Sequence, residues 1–358
     1  MGLTTETQAM HLRITAEEIL NSDQVLSRDI DPWSRPIAGL KLITPEGNHT
    51  KSFTPMEILP DAVRPIIIFD LDDTVWEHIR HVVSAVSDAT NIPITWEEFK
   101  QFGHTRKIPV WNDSPGAMAI HDQIQRGEHP DFFPFVNRAW PKAVETLEAV
   151  RLMGHDFSFL TARSPKLFDA TLRVMKWNAI VHDHEQDPVD ARSDEIPRKG
   201  ILYCAYSELS DVHRYKFDVV KQWVSNVQGA GRNGPIVIID DLLRPFQTLV
   251  ESGEVVGISL AGPLNQHMPP YPNERRVASW QEIGEILMDI HRKALAADPS
   301  PFRLFDCRPM MEDTVLVVSK AEAGNGEFTL ENIRHGGFVS AKRWHNEQSV
   351  VLRELGIT

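Results

Sequence analysis

Two short apolar runs, each closed by acids, constrain this chain more than any other feature. Pro65-Ile66-Ile67-Ile68-Phe69-Asp70 leads into Leu71-Asp72-Asp73-Thr74, and Pro235-Ile236-Val237-Ile238-Ile239-Asp240 leads into Asp241. A continuous apolar run of this length suits a strand buried on both faces, as in a parallel sheet covered by helices. Such sheets bind ligands at the carboxyl ends of their strands, which is where both acid pairs fall. Asp70 and Asp72 are two residues apart, so while the backbone stays extended their carboxylates point to the same side. Carboxylates crowded at one edge repel one another unless a cation sits among them, and oxygen-only donors suit Mg²⁺.

The remainder of the chain alternates strand and helix signals, which argues for a doubly wound, mainly parallel α/β sheet. Pro141 to Met153 reads as a helix, His155 to Thr161 as a second strand, and Leu167 to Val174 as helical. Ala179-Ile180-Val181 is a third strand candidate, followed by a polar loop over 182–199. Tyr215 to Val227 has apolar residues at helical spacing, Val255 to Leu260 is a further strand, and Ser279 to Glu282 caps a helix reaching about Leu295. Thr95 to Glu98 is another capping box in a polar, helical stretch over 76–139, and Thr15 to Glu18 one near the start of the chain. In the tail, Thr314 to Ser319, the turn Gly324-Asn325-Gly326 and Glu327 to Ile333 suggest a β-hairpin, with a helix over Asn346 to Leu355.

Four segments, in order, resemble the motifs of the haloacid dehalogenase (HAD) superfamily of phosphohydrolases. Phe69-Asp70-Leu71-Asp72-Asp73-Thr74 looks like the first, and Phe159-Leu160-Thr161-Ala162-Arg163 like the second. Tyr215-Lys216-Phe217 looks like the third, with Lys221 as the other lysine in reach, and Ile238-Ile239-Asp240-Asp241 like the fourth. The resemblance covers roughly residues 64–295. It implies that Asp70 is a nucleophile forming an aspartyl-phosphate, that Asp72 is the acid and then the base, that Thr161 holds a phosphoryl oxygen, and that Lys216 neutralises charge. Asp70, Asp240 and the backbone of Asp72 would hold Mg²⁺, with Asp241 as a further ligand or an orienting group. Dehalogenases of the superfamily lack the second acid, so Asp72 favours phosphate-ester chemistry. The insertion after the first motif implies a helical cap that selects substrate, with His78, His104, Arg106, Lys107 and Trp111 as candidates to face the pocket. Thr74 and Arg163 are further candidate substrate contacts, and Arg163 could equally brace an acidic loop. The implied organisation is an N-terminal extension over 1–63, a catalytic core over 64–75 and 140–295, the cap over 76–139, and a C-terminal α+β extension over 296–358.

Composition narrows the partners. Thirty-seven Lys plus Arg against 50 Asp plus Glu give a net charge of −13, which opposes binding to polyanions but not to a small phosphorylated substrate beside a metal ion. A nucleotidase or a phosphatase of nucleic-acid ends remains an alternative on the same fold, though the tail holds seven Lys plus Arg against nine Asp plus Glu and offers no basic track. A catalytically silent scaffold is the other alternative, disfavoured by the intact first motif. With two cysteines, Cys204 and Cys307, there is no disulfide framework, and a reducing, cytoplasmic setting is expected. No apolar run is long enough to span a membrane, and nothing in the sequence fixes an oligomeric state. Gly229-Ala230-Gly231-Arg232-Asn233-Gly234 fits the dinucleotide-binding pattern but precedes a strand instead of following one, so it reads as a helix-to-strand loop.

Overall fold

The computed structural model describes residues 56–102, 107–126, 128, 139–163, 165–178, 180, 189–198, 200–204, 212–306, 313–321 and 337–357. The capping box at Thr15–Glu18, His104, Arg106, the turn at 324–326 and the strand expected over 327–333 lie outside the described residues.

A seven-stranded sheet forms the centre. Its strands are β2 (Ile66–Phe69), β3 (Asp156–Thr161), β4 (Val189–Asp190), β5 (Leu202–Cys204), β6 (Ile236–Ile239), β7 (Val256–Leu260) and β8 (Glu274–Val277), in the spatial order β4-β5-β3-β2-β6-β7-β8. Every pairing is parallel. The strand with the first acid cluster therefore lies in the middle, with β3 and β6 on either side of it. All four residues of β2 are buried, because both faces are covered. Ile67 and Phe69 pack against α5 (Ala143–Leu152) and α9 (Trp280–Ala297), and Ile66 and Ile68 against α7 (Val212–Gly229). Phe69 stacks on Trp280 at 5.9 Å between ring centroids, which ties the strand to α9 immediately below the site. Helix α9 opens as expected, with the Ser279 hydroxyl accepting from the Glu282 N–H.

Between β2 and β3 the chain forms helices α1 (Ile79–Thr90), α2 (Trp96–Phe102), α3 (Pro109–Asn112) and α4 (Pro115–Arg126). These share their own apolar cluster, including Val82, Val86, Phe99, Trp111 and Ile124. The Thr95–Glu98 capping box is formed, each residue bonding back to the other. Trp76 on the outgoing segment forms an antiparallel bridge with Ala139 on the returning one, and Trp140 N–H donates to the Val75 carbonyl at 3.0 Å.

Two strands differ from expectation. Ile180 is not in a strand, and the place beside β3 is taken by Leu202–Cys204, a three-residue run of Leu, Tyr and Cys too short to stand out by pattern. The edge strand β8 is Glu-Arg-Arg-Val, whose polar character hides it; Arg276 is held by Glu274. The tail also builds a different partner set. β1 (Met56–Ile58), β9 (Phe302–Asp306), β10 (Thr314–Ser319) and β11 (Gly337–Ser340) form an antiparallel sheet in the order β1-β9-β10-β11, covered by α10 (Ala341–Glu354). Segments from before and after the central sheet thus share one structure. No helix among the described residues is long and apolar enough to cross a membrane.

Gly234 ends the glycine-bearing loop, and a Cβ there would lie 2.2 Å from the Arg64 carbonyl oxygen. That contact is backbone and cannot swing aside. Gly234→Ala is expected to destabilise the protein by at least about 2 kcal/mol, measured by chemical denaturation, while Gly231→Ala, which meets nothing within 4 Å and loses only its left-handed preference, costs less.

Candidate active site

The parallel ladder delivers the acids side by side. The Asp70 N–H donates to the Ile239 carbonyl at 2.9 Å, and the Asp240 N–H to the Ile258 carbonyl at 3.2 Å, so the strand pairing continues to the first acid of each run. Asp70, Asp240 and Asp241 are all buried, and each offers a carboxylate oxygen within 4.8 Å of the others. Lys216, near the start of α7, sends its ammonium between two of them, with Nζ 2.6 Å from Asp70 Oδ1 and 3.1 Å from Asp240 Oδ2. Lys221 is exposed, over the Phe217 ring, so Lys216 is the lysine that reaches the acids.

Burial sets the electrostatics. It pushes Asp70 up to about 7 despite the Lys216 charge, with Asp240 and Asp72 adding to the rise. Asp241 is raised well above its ordinary value by burial and by Asp240, Asp73 and Asp70. For Lys216, burial works against the charge, but Asp240 and Asp70 overcome it and hold the ammonium more firmly protonated. Three buried carboxylates thus face one buried ammonium. The cluster is short of positive charge, which fits a divalent cation with Asp70, Asp240 and Asp241 as donors.

Asp72 lies in a different environment. Arg163 donates from Nε to Asp72 Oδ2 at 2.7 Å and from an NH2 group to Oδ1 at 2.6 Å, a bidentate pair. The Trp76 indole N–H donates to the same Oδ1 at 2.8 Å, and His78 Nδ1 is 3.5 Å from it. Burial would raise this carboxyl, but the charges of Arg163 and His78 and these bonds prevail and hold it well below the usual range. Arg163 is thus paired with the acidic loop in this structure.

The other candidates fall in different places. Thr161 is buried at the end of β3, and its hydroxyl accepts the Arg163 N–H at 3.2 Å, which keeps its own hydrogen for a further acceptor. Thr74 is fully buried, and its hydroxyl accepts the Asp241 N–H at 2.8 Å, stapling the two acid loops together. Trp111 lies inside the helical insertion, its indole donating to the Ile92 carbonyl at 3.2 Å, where its apolar bulk fills that cluster. Lys107 is exposed on the same insertion.

Several supporting residues carried no sequence signal. Asp73 has a left-handed backbone, φ 58°, and its carboxylate accepts the His78 and Ile79 N–H groups at 3.0 and 2.9 Å, which caps α1. Trp140 and Trp280 donate their indole N–H groups to the carbonyls of Asp73 and Thr74. Asn265, also buried, donates to the carbonyls of Asp241 and Leu260 at 2.6 and 2.8 Å. The bonds of Trp140, Trp280 and of Asn265 to Asp241 join residues 67, 206 and 24 apart in the chain, which spacing does not reveal.

Strand order, helical insertion and the meeting of four motif segments at one sheet edge define a HAD-like α/β fold. No protein-family profile and no curated protein matches the chain. Among solved structures, it is similar to CbbY from Rhodobacter sphaeroides, determined in complex with phosphate, at 13% identity over 62% of this chain and 97% of that one, with a TM-score of 0.36. The HAD-hydrolase YfnB from Bacillus subtilis, bound to magnesium, aligns at 12% identity over 63% and 99% of the two chains, TM-score 0.39. A dehalogenase aligns at 14% identity over 64% and 98%, TM-score 0.38. The fold class rests on the topology and the site, not on these superpositions.

Asp70 and Asp73, the latter also lifted by burial to about 7, make the metal-free protein pH-sensitive. The folded chain keeps protons that the unfolded chain releases near the ordinary value of 3.8. The stability they confer is full below that value and is lost as the pH rises through about 7. Asp72 acts with the opposite sign, only in more acid solution. The melting temperature of chelator-treated protein is expected to fall across this interval, and the slope to flatten in Asp70→Asn.

Proposed function

We propose that this protein is a Mg²⁺-dependent phosphatase that hydrolyses a small phosphate monoester through a phosphorylated Asp70. The observation that carries this reading is the buried group of Asp70, Lys216, Asp240 and Asp241 at the carboxyl edge of a parallel sheet, with a second, separately held acid, Asp72, on the Asp70 loop. Phosphate-monoester hydrolysis is among the slowest uncatalysed reactions, and a dense, preorganised charge cluster is what it requires.

In this mechanism an Asp70 carboxylate oxygen attacks phosphorus, and the bond from phosphorus to the substrate oxygen breaks. Asp72, held ionised by Arg163, has to take up a proton before it can give one to the departing oxygen. The Lys216 ammonium, already on Asp70, neutralises charge that builds up on the nucleophile and the phosphoryl group. The Thr161 hydroxyl donates to a phosphoryl oxygen. In the second half-reaction the Asp72 carboxylate takes a proton from water, which attacks the aspartyl-phosphate, releases inorganic phosphate and restores Asp70. Asp70, Asp240 and Asp241, with the Asp72 carbonyl that the resemblance implies, would hold Mg²⁺. When bound, the ion supplies the positive charge that lets a carboxylate approach a phosphate dianion. On this reading residues 64–75 and 140–295 are the catalytic core, 76–139 a cap over it, and 1–63 and 296–358 extensions. The setting is cytoplasmic.

Hydrolysis of 4-nitrophenyl phosphate and of a panel of phosphorylated metabolites, with Mg²⁺ and with chelator, tests the proposal. Turnover is expected to require Mg²⁺, to be abolished in Asp70→Asn, and to fall by about 10²-fold or more in Asp72→Asn. Turnover that survives chelation or survives Asp70→Asn overturns it.

A further inference from the structure

Asp72 is held by more donors than a solvated carboxylate needs. Arg163 takes both of its oxygens, and the Trp76 indole adds a third bond. The guanidinium is itself fixed from two further sides: it lies over the Trp76 ring at 5.2 Å and donates to the Thr171 hydroxyl at 3.1 Å, on helix α6 (Phe168–Trp177). Arg163, Trp76 and Thr171 are each almost completely buried. A charge taken from water and committed to one carboxylate in this way is a fixed part of the site, unlike an exposed arginine waiting for a substrate phosphate. Rotation of the Asp72 carboxylate would break three bonds at once.

We propose that Arg163, seated on Trp76, is a positioning residue that fixes the Asp72 carboxylate for its work as the base in the second half-reaction. This rests on the phosphatase reading above, and it replaces the substrate contact expected of Arg163. The step served is the one in which water loses a proton to Asp72 and its oxygen bonds to phosphorus while the Asp70 oxygen–phosphorus bond breaks. The first half-reaction with an aryl phosphate has little need of Asp72, because nitrophenolate departs without a proton.

That difference separates the roles. With 4-nitrophenyl phosphate and Mg²⁺, Arg163→Gln is expected to release nitrophenol in a burst of about one equivalent and then turn over about 10- to 100-fold more slowly than wild type, with KM falling alongside kcat so that kcat/KM, which reports the first half-reaction, is little changed. Phosphorylated Asp70, trapped by acid quench, accumulates during the slow phase. Trp76→Phe keeps an aromatic ring beneath the guanidinium and removes the indole donor, so it tests the same step by a second route, and a smaller slowing is expected. Arg163→Lys keeps the charge without the fork and should be rescued poorly. The double variant Arg163→Gln/Asp72→Asn should be no slower than Asp72→Asn alone, because one function has been removed.

A raised KM with kcat retained and no burst would show Arg163 binding the substrate phosphate, and would overturn the proposal. So would losses that multiply in the double variant, or unchanged dephosphorylation in both Arg163→Gln and Trp76→Phe. A wild type that never phosphorylates Asp70 overturns the phosphatase reading itself, an outcome visible before any Arg163 variant is compared.

Discussion

The ammonium of Lys216 between Asp70 and Asp240 is the contact on which the rest of the site depends. Each partner alone is a charge removed from water, and only their closeness makes the burial tolerable. That closeness has to be enforced by backbone. The parallel ladder on either side of β2 brings the two strands to the same level, and Thr74 and Asn265 then fix the chain around Asp241. The indoles of Trp140 and Trp280 take up carbonyls on the first acid loop. A set of uncharged hydrogen bonds thus holds in place a cluster whose own charges repel, leaving a deficit of positive charge that a bound cation would relieve.

Two carboxylates on one loop are driven in opposite directions by what surrounds them. Asp70 is raised because burial and neighbouring acids outweigh its lysine, whereas Asp72 is lowered because a bidentate arginine outweighs burial. The separation leaves the two neighbouring acids in different charge states in the metal-free protein. It arises from a fork of nitrogen donors on one and a shared ammonium on the other, not from any difference in the residues themselves.

Much of this was legible in the sequence where a local rule operates. The apolar runs ending in acid are the central strands, the Thr95–Glu98 and Ser279–Glu282 boxes are formed, and Lys216 meets the acids it was expected to meet. What was not legible depends on partners distant in the chain. Leu202–Cys204 and Glu274–Val277 become strands because neighbouring strands present unpaired edges to them, not because of their own pattern. The bond between Thr74 and Asp241 was hidden, since nothing local discloses that the two lie within hydrogen-bond reach across 167 residues. The pairing of Arg163 with Asp72 over the Trp76 ring was likewise hidden, because Asp72 lies 91 residues back in the chain.

The sheet formed by β1 with β9, β10 and β11 has a consequence in time. Glu57 and Arg303, paired across β1 and β9, are 246 residues apart, with the whole central sheet and its helices between them. Closing so long a loop in a disordered chain is entropically costly, whereas a folded core brings the two segments near each other beforehand. During synthesis Met56–Ile58 emerges well before Phe302–Asp306, its strand partner among the described residues. The pairing therefore cannot form until some 246 further residues have been added, and the cost of closing that loop is lower once the segment between has become compact.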